Sequence, residues 1–361
     1  MTTAGRQPGQ LRVRRRAPDR SNGRCVIVTG GAGYIGSHAC KALAAAGYLP
    51  VTYDNLSTGN DWAVRWGPLE HGDILDPVRL NAVFDAYRPL GVLHFAGLAL
   101  VGESMRAPSP YYRANVTGTL NLLDACGSHG MPAFVFSSTC AVYGTPDRTP
   151  ISEDAPTRPI NPYGASKLMV ERILDDHEMS CGQRYMALRY FNAAGADPAG
   201  EIGEARDLET HIVPLALDAI LGRRPPLSVF GDDYPTPDGT PIRDYIHVSD
   251  LADAHVRALD MLLAGGQSGK INLGTGRGFS VRQILDTAEV VAGRTVPHEI
   301  GPRRPGDPPE LVADPRASLA LFGPDLTRRS SLALIIETAW NWHASRLQAV
   351  KVTARLNSAQ G

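Results

Sequence analysis

The sequence lacks the features that would direct the chain to a membrane, to a nucleic acid or to a disulfide framework. Its formal net charge is only -1, so no overall field attracts polyanions. No apolar run approaches the ~18 residues that a membrane-spanning helix needs. The five cysteines are scattered and include no CxxC pair, which favours reduced thiols in a cytoplasmic protein. We expect no membrane, no nucleic-acid partner and no metal.

What is present is the composition of an ordinary globular protein, with 43% hydrophobic and 20% charged residues in a chain of 361. The N-terminal part differs, because the first 24 residues hold seven arginines and a single acid, Asp19. We predict a disordered basic extension over 1–23. An organelle presequence or a polyanion-binding arm is a weaker alternative, because Pro8 and Pro18 break any amphipathic helix.

Strands and helices alternate through the first half of the chain. Short apolar runs typical of buried parallel strands occupy 25–29, 49–53, 91–95, 133–137 and 185–189. Helices are predicted between them, ending near Gly47, running from Asp76-Pro77 to about Tyr87, spanning about 112–127, and beginning at Pro162. This pattern predicts an α/β fold, a Rossmann-type doubly wound parallel sheet that binds ligands beyond the carboxyl ends of its strands.

The composition of the chain changes after Asn192, where proline and glycine cluster and the predicted secondary-structure elements become shorter. We predict a Rossmann domain over 24–191 and a smaller mixed α/β substrate-binding lobe over 192–345, with 242–265 returning to the Rossmann domain and a tail over 346–361. Within the second lobe, 243–247 is predicted to be a strand, and Ser249 is predicted to cap the next helix.

A glycine loop, Thr29-Gly-Gly-Ala-Gly-Tyr-Ile-Gly36, follows the first predicted strand and opens a helix. Gly30 allows the tight turn, Gly33 lets amides approach a pyrophosphate, and Gly36 lets the helix pack closely on the sheet. The spacing is GxxGxxG, so the strand–turn–helix context carries the prediction of a dinucleotide site. Asp54, at the end of the second strand, would bind ribose hydroxyls and repel a 2′-phosphate, which favours NAD over NADP.

Tyr163 and Lys167, four residues apart on the helix that Pro162 opens, share one helix face. A phenol has a pKa of ~10, too high for a base at neutral pH, and a nearby ammonium lowers it. Thr139, after the strand 133–137, could bond a reacting oxygen and relay its proton to Tyr163. The alternatives are a surface pair and a turn cluster. Downstream of a glycine loop, the set indicates hydride chemistry with a nicotinamide.

These residues resemble the extended short-chain dehydrogenase/reductase family and, within it, the UDP-sugar 4-epimerases. The resemblance extends from Cys25 to about Trp342. It rests on the glycine loop, on Asn161-Pro-Tyr-Gly-Ala-Ser-Lys167, and on longer and more specific segments at 188–192, 230–239 and 243–250.

The resemblance implies that NAD accepts a hydride from sugar C4 and returns it to the opposite face of a 4-keto sugar, so that UDP-galactose and UDP-glucose interconvert. It also implies a homodimer. The implied catalytic residues are Tyr163, Lys167 and Thr139. The implied NAD-binding residues are Gly30, Gly33, Tyr34, Ile35, Gly36, Asp54, Asn55, Asp73, Ile74, Phe95, Ala96, Gly97, Asn115, Ser138, Tyr163, Lys167 and Tyr190. The implied substrate-binding residues are Thr139, Tyr163, Asn192, His211, Ile212, Val229, Phe230, Arg243, Arg304, Asp307 and Leu311.

Several positions qualify this expectation. Asp73 could bond the adenine amino group or could be only a turn residue. His211 stands where the family often has asparagine, and Ala99 where some members have lysine. Leu311 occupies the wall of the sugar pocket, where a tyrosine is associated with excluding N-acetylated sugars. Leucine is intermediate, so we predict UDP-galactose and UDP-glucose as the main pair, with weak turnover of N-acetylated sugars.

Three other functions remain open at this point. A 4,6-dehydratase is disfavoured, because Cys140 and Ala141 follow Thr139 and cannot transfer a proton to sugar C6. A 4-epimerase of another pair, such as UDP-xylose and UDP-arabinose, is compatible with the same residues. A non-catalytic NAD-binding sensor or scaffold would tend to lose Tyr163 or Lys167, and this chain keeps both.

Overall fold

The computed structural model describes residues 23–304 and 307–358, with side chains in the last helix as far as Arg346. The basic extension predicted over 1–23 lies, apart from Gly23, outside the described residues. The strands are β1 (Cys25–Thr29), β2 (Leu49–Asp54), β3 (Leu69–His71), β4 (Gly91–His94), β5 (Ala133–Thr139), β6 (Tyr185–Tyr190), β7 (Asn192–Ala194), β8 (Leu227–Phe230), β9 (Ile242–His247), β10 (Gly269–Leu273), β11 (Gly278–Ser280), β12 (His298–Gly301) and β13 (Glu310–Leu311).

The α-helices are α1 (Tyr34–Ala45), α2 (Pro77–Tyr87), α3 (Val101–Arg106), α4 (Pro108–Tyr111), α5 (Gly118–Ser128), α6 (Pro162–Cys181), α7 (Ile212–Ile220), α8 (Val248–Leu263), α9 (Val281–Ala292), α10 (Arg316–Phe322) and α11 (Leu332–Ser358). The helix predicted over 112–127 is divided, since a π-helical turn, Tyr112–Thr117, precedes α5. No helix among the described residues is both long and apolar enough to cross a membrane.

The larger sheet has seven parallel strands in the order β10-β6-β5-β4-β1-β2-β3. Successive residues of a strand face opposite sides of its sheet. Accordingly Val26 and Val28 pack with residues of α1 and α8 on one side, such as Leu43 and Leu259. Ile27 packs on the other side with residues of α2, α5 and α6. The predicted doubly wound sheet is confirmed, and the strand order reverses between β1 and β4, which is where such folds bind their ligands.

The second lobe contains a four-stranded sheet, in which β9 is flanked by β11, β13 and β7, and a two-stranded sheet of β8 and β12. Its core consists of apolar residues of α7, α9 and α11, among them Leu217, Ile284 and Ile335. Helix α11 continues to Ser358 and so enters the segment 346–361 for which we expected a tail.

Two details of the second lobe differ from the sequence-based expectation. The elements that return to the larger sheet are α8 and β10, whereas β9, the start of the predicted return segment 242–265, pairs in the smaller sheet. The prediction that Ser249 caps α8 is wrong. His247 is the N-cap, and its Nδ1 accepts the amide of Ser249 at 3.1 Å, because His247 Nε2 is held by Thr338 of α11 at 3.0 Å.

Candidate active site

The glycine loop forms a cradle between β1 and α1 that has no room for side chains. Gly30 has a φ of +72°, and a Cβ there would lie 2.6 Å from the amide nitrogen of Ala96. A Cβ on Gly36 would lie 2.2 Å from the carbonyl oxygen of Gly30. Gly33 is the N-cap of α1 and offers no side chain to the amides of the first turn. Those amides therefore remain available to phosphate oxygens, and the cradle fits a dinucleotide.

The neighbours of the cradle connect it to both lobes. Tyr34 donates its hydroxyl to the carbonyl of Gly195 in the second lobe at 2.6 Å. Ile35 packs against the core on the α1 side of the large sheet. Asp54, at the end of β2, accepts the amide of Ala32 at 3.0 Å, and burial raises the pKa of this carboxyl. Asp54 is thus held beside the loop.

Asp73 makes the contacts of a turn residue and also joins the site to a neighbouring strand end. Its Oδ1 accepts the amide of Leu75 at 2.8 Å, and its Oδ2 accepts the side-chain amide of Asn55 at 2.9 Å. Ile74, next to it, is buried and packs against Gly118. The residues predicted for the adenosine end are therefore brought together.

The segment after β4 closes the site from the other side. The side chain of Asn115 forms two hydrogen bonds with the backbone of Leu98. Its Oδ1 accepts the amide of Leu98 at 2.8 Å, and its Nδ2 donates to the carbonyl of Leu98 at 3.0 Å. A Cβ on Gly97 would lie 2.7 Å from the side-chain oxygen of Asn115 and 3.7 Å from Nζ of Lys167. The ring of Phe95 packs at a tilt against the ring of His255, with 4.6 Å between centroids. These contacts place Gly97 beside Lys167.

Lys167 is buried and held in one place. Its Nζ donates to the carbonyl of Ser137 at 3.0 Å and lies 4.8 Å from the centroid of the Phe136 ring. Burial lowers the pKa of Lys167 to about 8, so the side chain is still mostly cationic at neutral pH. A fixed cation of this kind can bind a ribose hydroxyl and stabilise a phenolate.

Tyr163 lies in the first turn of α6, which Asn161 caps by accepting the amide of Gly164 at 2.8 Å. Burial is the main cause that raises the pKa of the Tyr163 phenol, and Tyr190 adds to the rise. The interaction with Thr139 and the charge of Arg206 oppose it. The phenol therefore needs further positive charge near it before it can act as a base.

The strand β5 and its neighbour β6 supply the floor of the site. Tyr190 shares a short hydrogen bond with the hydroxyl of Ser137. The hydroxyl of Ser138, a residue that we predicted to bind the cofactor, donates to Glu171 at 2.6 Å. Glu171 in turn receives two hydrogen bonds from Arg189, of 2.8 and 2.6 Å.

In the second lobe, most of the predicted substrate residues come together. Arg243 forms an ion pair with Asp307, and the guanidinium of Arg304 lies 4.0 Å from the centroid of the Phe230 ring. Leu311 pairs with Arg243 in the sheet. Val229 is buried in β8 and Asn192 begins β7. Burial raises the pKa of the Cys140 thiol to about 12, and the charge of Arg243 opposes this rise. Arg243 therefore lies near Cys140, the residue that follows Thr139.

His211 belongs to a different cluster. It is the N-cap of α7, the helix that starts at Ile212, and its Nδ1 lies 2.7 Å from a carboxylate oxygen of Glu204. Arg206 donates its Nε to the same oxygen at 3.0 Å. The charge of Arg206 lowers the pKa of the phenols of Tyr163, Tyr190 and Tyr34, so this cluster lies within electrostatic range of all three tyrosines.

Sequence reasoning missed Glu171, Arg189, Glu204, Arg206 and His255. Arg189 is the only charge in the apolar strand Met186–Tyr190, and a charge in a buried strand is a signal of a buried partner. Glu171 stands beside Arg172 on a helix, where the sequence does not show which of the two charges is buried. Glu204 and Arg206 lie in a loop without periodicity, where residue type alone indicates no partner.

Comparison with known proteins adds a consistent set of similarities. The model of the NAD dependent epimerase/dehydratase family matches residues 26–274. A UDP-glucose 4-epimerase of Rhizobium meliloti (strain 1021) is 54% identical over 90% of this chain and 98% of its own. The crystal structure of UDP-glucose 4-epimerase from Brucella ovis in complex with NAD is 53% identical with a TM-score of 0.86, over 88% of this chain and 97% of its own. That of UDP-glucose 4-epimerase from Bifidobacterium longum in complex with NAD+ and UDP is 36% identical with a TM-score of 0.83, over 89% and 98%.

Proposed function

The chain belongs to the NAD dependent epimerase/dehydratase family, and on that premise we propose that it interconverts UDP-galactose and UDP-glucose by inverting sugar C4. It is an NAD-dependent isomerase, as the sequence predicted. NAD, when bound, supplies reversible hydride transfer at C4. The remaining work, which is to bind, orient and move a proton, belongs to the side chains of this protein.

One observation carries the proposal. Lys167 donates to the carbonyl of Ser137 in β5, Tyr163 precedes Lys167 by one turn of α6, and Thr139 at the end of β5 acts on the phenol of Tyr163. No carboxylic acid follows Thr139 directly, since the next residues are Cys140 and Ala141. Such a site can exchange the proton of one hydroxyl but cannot expel a second one. Epimerisation therefore fits better than dehydration.

Tyr163 is the group that takes and returns the proton of the 4-hydroxyl. Burial raises the pKa of its phenol, and the neighbouring Thr139 opposes the rise. The fixed charge of Lys167 and the positive charge of an oxidised nicotinamide both favour phenolate. Tyr163 is consequently a base when the cofactor is oxidised and an acid after the hydride has left the sugar.

The nucleotide is anchored by the second lobe. Arg243 and Arg304 are permanently charged, and the planar fork of arginine suits a diphosphate. Asp307, paired with Arg243, is suited to the uridine ribose. A strong anchor at the diphosphate leaves the hexose free to turn between the two hydride transfers. As working proposals, the enzyme is a homodimer and is cytoplasmic.

The test is the conversion of UDP-galactose by the purified protein without added NAD, followed by chromatography of the nucleotide sugars. We expect UDP-glucose to form until equilibrium, with no keto sugar released. Tyr163→Phe should lower the rate at least about 100-fold, the contribution of a positioned acid–base group. The control is Tyr185→Phe, whose phenol bonds Asp175 at the amino end of β6. Failure to convert UDP-galactose, even with NAD supplied, would refute the substrate pair.

A further inference from the structure

Five buried polar side chains form one continuous hydrogen-bonded network between the glycine loop and the helix that carries Tyr163. They lie at the ends of β1 and β4, in the π-helical turn, in α5 and in α6, and are Thr29, His94, Asn115, Thr119 and Ser166. None of them is more than 2% exposed. Of the five, only Asn115 was predicted to bind the cofactor. We call this set the buried network.

The imidazole of His94, at the centre of the network, is neutral. Burial and then the positive charge of Lys167 lower the pKa of His94 to about 3. The ring of Phe136 is close to both groups, since its centroid lies 5.7 Å from that of His94 and 4.8 Å from Nζ of Lys167. At neutral pH, therefore, one ring nitrogen of His94 donates a hydrogen bond and the other accepts one.

The hydrogen bonds around His94 show which nitrogen carries the proton. The hydroxyl of Thr119 donates to the backbone carbonyl of Asn115 at 2.5 Å, so its single proton is used there. That hydroxyl can only accept from Nε2 of His94, 2.8 Å away, so Nε2 is protonated. Nδ1 then accepts from the hydroxyl of Thr29 at 2.7 Å. With both nitrogens bonded within the protein, His94 can hold other groups in place but has no nitrogen left for a ligand.

The two ends of the buried network lie at the cofactor cradle and at the catalytic tyrosine. At one end, Thr29 directly precedes Gly30, whose φ of +72° makes the tight turn of the glycine loop. At the other end, Asn115 donates its Nδ2 to the hydroxyl of Ser166 at 2.9 Å. Ser166 in turn donates to the backbone carbonyl of Tyr163 at 2.7 Å. The network therefore connects the turn that fits a dinucleotide to the residue that carries the phenol.

The middle of the network passes through the π-helical turn, Tyr112–Thr117, where the backbone departs from the α-helical pattern. Turns of this kind are frequent at functional sites. The hydroxyl of Thr119 reaches back four residues to the carbonyl of Asn115, and a threonine bonded in this way often bends its helix. Because His94 holds that hydroxyl, the placement of Asn115 depends on His94 as well.

We propose that His94 and Thr119 are positioning residues that set the place of Tyr163 relative to the cofactor cradle, acting through Asn115 and Ser166. The inference rests on the proposed function, in which Tyr163 is the acid–base group. A buried network whose members are all satisfied holds its groups in one arrangement. Proton transfer requires a well-placed phenol, so a small displacement should slow the reaction without weakening substrate binding.

The kinetic test compares two variants of Thr119 as NAD-loaded proteins with UDP-galactose as substrate. Thr119→Val keeps the shape of the side chain and removes its hydroxyl, whereas Thr119→Ser keeps the hydroxyl. We expect Thr119→Val to lower kcat about tenfold, with the KM and the NAD content unchanged, because only the placement of the acid–base group is disturbed. Thr119→Ser should recover most of the lost kcat.

A second pair of variants tests the same link from the other side, and it decides the question if Thr119→Val does not fold. His94→Phe keeps an aromatic ring beside Phe134 and Phe136 but can make neither hydrogen bond. His94→Gln keeps an amide that can donate to Thr119. We expect His94→Phe to lower kcat as Thr119→Val does, and His94→Gln to retain more of it. Equal losses in the two variants would contradict the proposal.

A structural readout needs no turnover. Crystal structures of the NAD-loaded protein and of its Thr119→Val variant are superposed on the large sheet. The hydroxyl of Tyr163 should be displaced by about 0.5 Å or more, the tolerance within which a catalytic group has to be held. If the unmodified protein fails to epimerise UDP-galactose, the proposed function is refuted, while this displacement still tests the buried network.

The matched control is Thr287→Val. Thr287 donates to the carbonyl of Gln283, four residues earlier, at 2.7 Å, as Thr119 does to Asn115, but it lies in α9 of the second lobe. This variant should leave kcat unchanged. The proposal would be overturned if Thr119→Val kept its full kcat, if it lost NAD, or if the hydroxyl of Tyr163 stayed in place. It would also be overturned if Thr119→Ser were no more active than Thr119→Val.

Discussion

The buried ion pair between Glu171 and Arg189 allows a quantitative prediction about the floor of the site. The two side chains are 1% and 5% exposed, and they form two parallel hydrogen bonds, of 2.8 and 2.6 Å. Arg189→Met would leave the carboxylate of Glu171 with the hydroxyl of Ser138 as its remaining hydrogen-bond donor among the contacts described. Removing one partner of a buried pair costs about 3–5 kcal/mol, because the other charge is left unpaired.

The cost has a second component. Nη1 of Arg189 also donates to the hydroxyl of Tyr143 at 2.9 Å, and this hydroxyl donates to Asn272 at 2.7 Å. Loss of that bond adds about 1 kcal/mol. The free energy of unfolding of a domain is about 5–15 kcal/mol, so the variant should still fold but with a much smaller free energy of unfolding.

The assay is urea unfolding of the variants, together with a double variant, Glu171→Leu with Arg189→Met. Replacing both charges by apolar groups removes the unpaired carboxylate, so the double variant should be more stable than Arg189→Met alone. The control is Arg257→Met, which breaks an equally bidentate pair with Asp325, at 2.8 and 2.8 Å, where the side chains are 30% and 50% exposed. That change should cost much less, because solvent screens an exposed pair.

The reasoning would be refuted if Arg189→Met cost no more than Arg257→Met, or if the double variant were at least as unstable as Arg189→Met alone. Either result would mean that Glu171 finds water or another donor when the arginine is removed. It would also mean that the pair does not stabilise the strand end that carries Thr139.

Two further predictions concern the cofactor and the sugar. Gly36→Ala should deplete NAD from the purified protein, because the new Cβ would lie 2.2 Å from the carbonyl oxygen of Gly30. The NAD content is measured by absorbance after denaturation. The control is Gly127→Ala in α5, where a Cβ meets no atom within 4 Å, and this variant should retain NAD. Leu311→Ala should raise the turnover of UDP-N-acetylglucosamine relative to UDP-galactose about tenfold, the effect of enlarging a pocket by a few methylenes, and an unchanged ratio would exclude Leu311 as the pocket wall.

Local patterns predicted most of the larger domain. Asp76 followed by Pro77 predicted a helix start, and the Asp76 side chain indeed accepts the amides of Val78 and Arg79. The apolar runs predicted β1, β2, β4, β5 and β6. In contrast, β10 was missed, because it is a half-buried edge strand, Gly-Lys-Ile-Asn-Leu, without a clear apolar pattern.

The sequence by itself determined the family, the doubly wound sheet, the glycine cradle and the Tyr163/Lys167 pair, because each depends on residues within one strand, one turn or one helix. Tertiary structure alone decided which distant side chains meet. Arg243 pairs with Asp307, Glu171 with Arg189, and Glu204 with His211. Such partners lie on different elements or in an irregular loop, and their contact is set by packing rather than by any periodicity that a sequence can display.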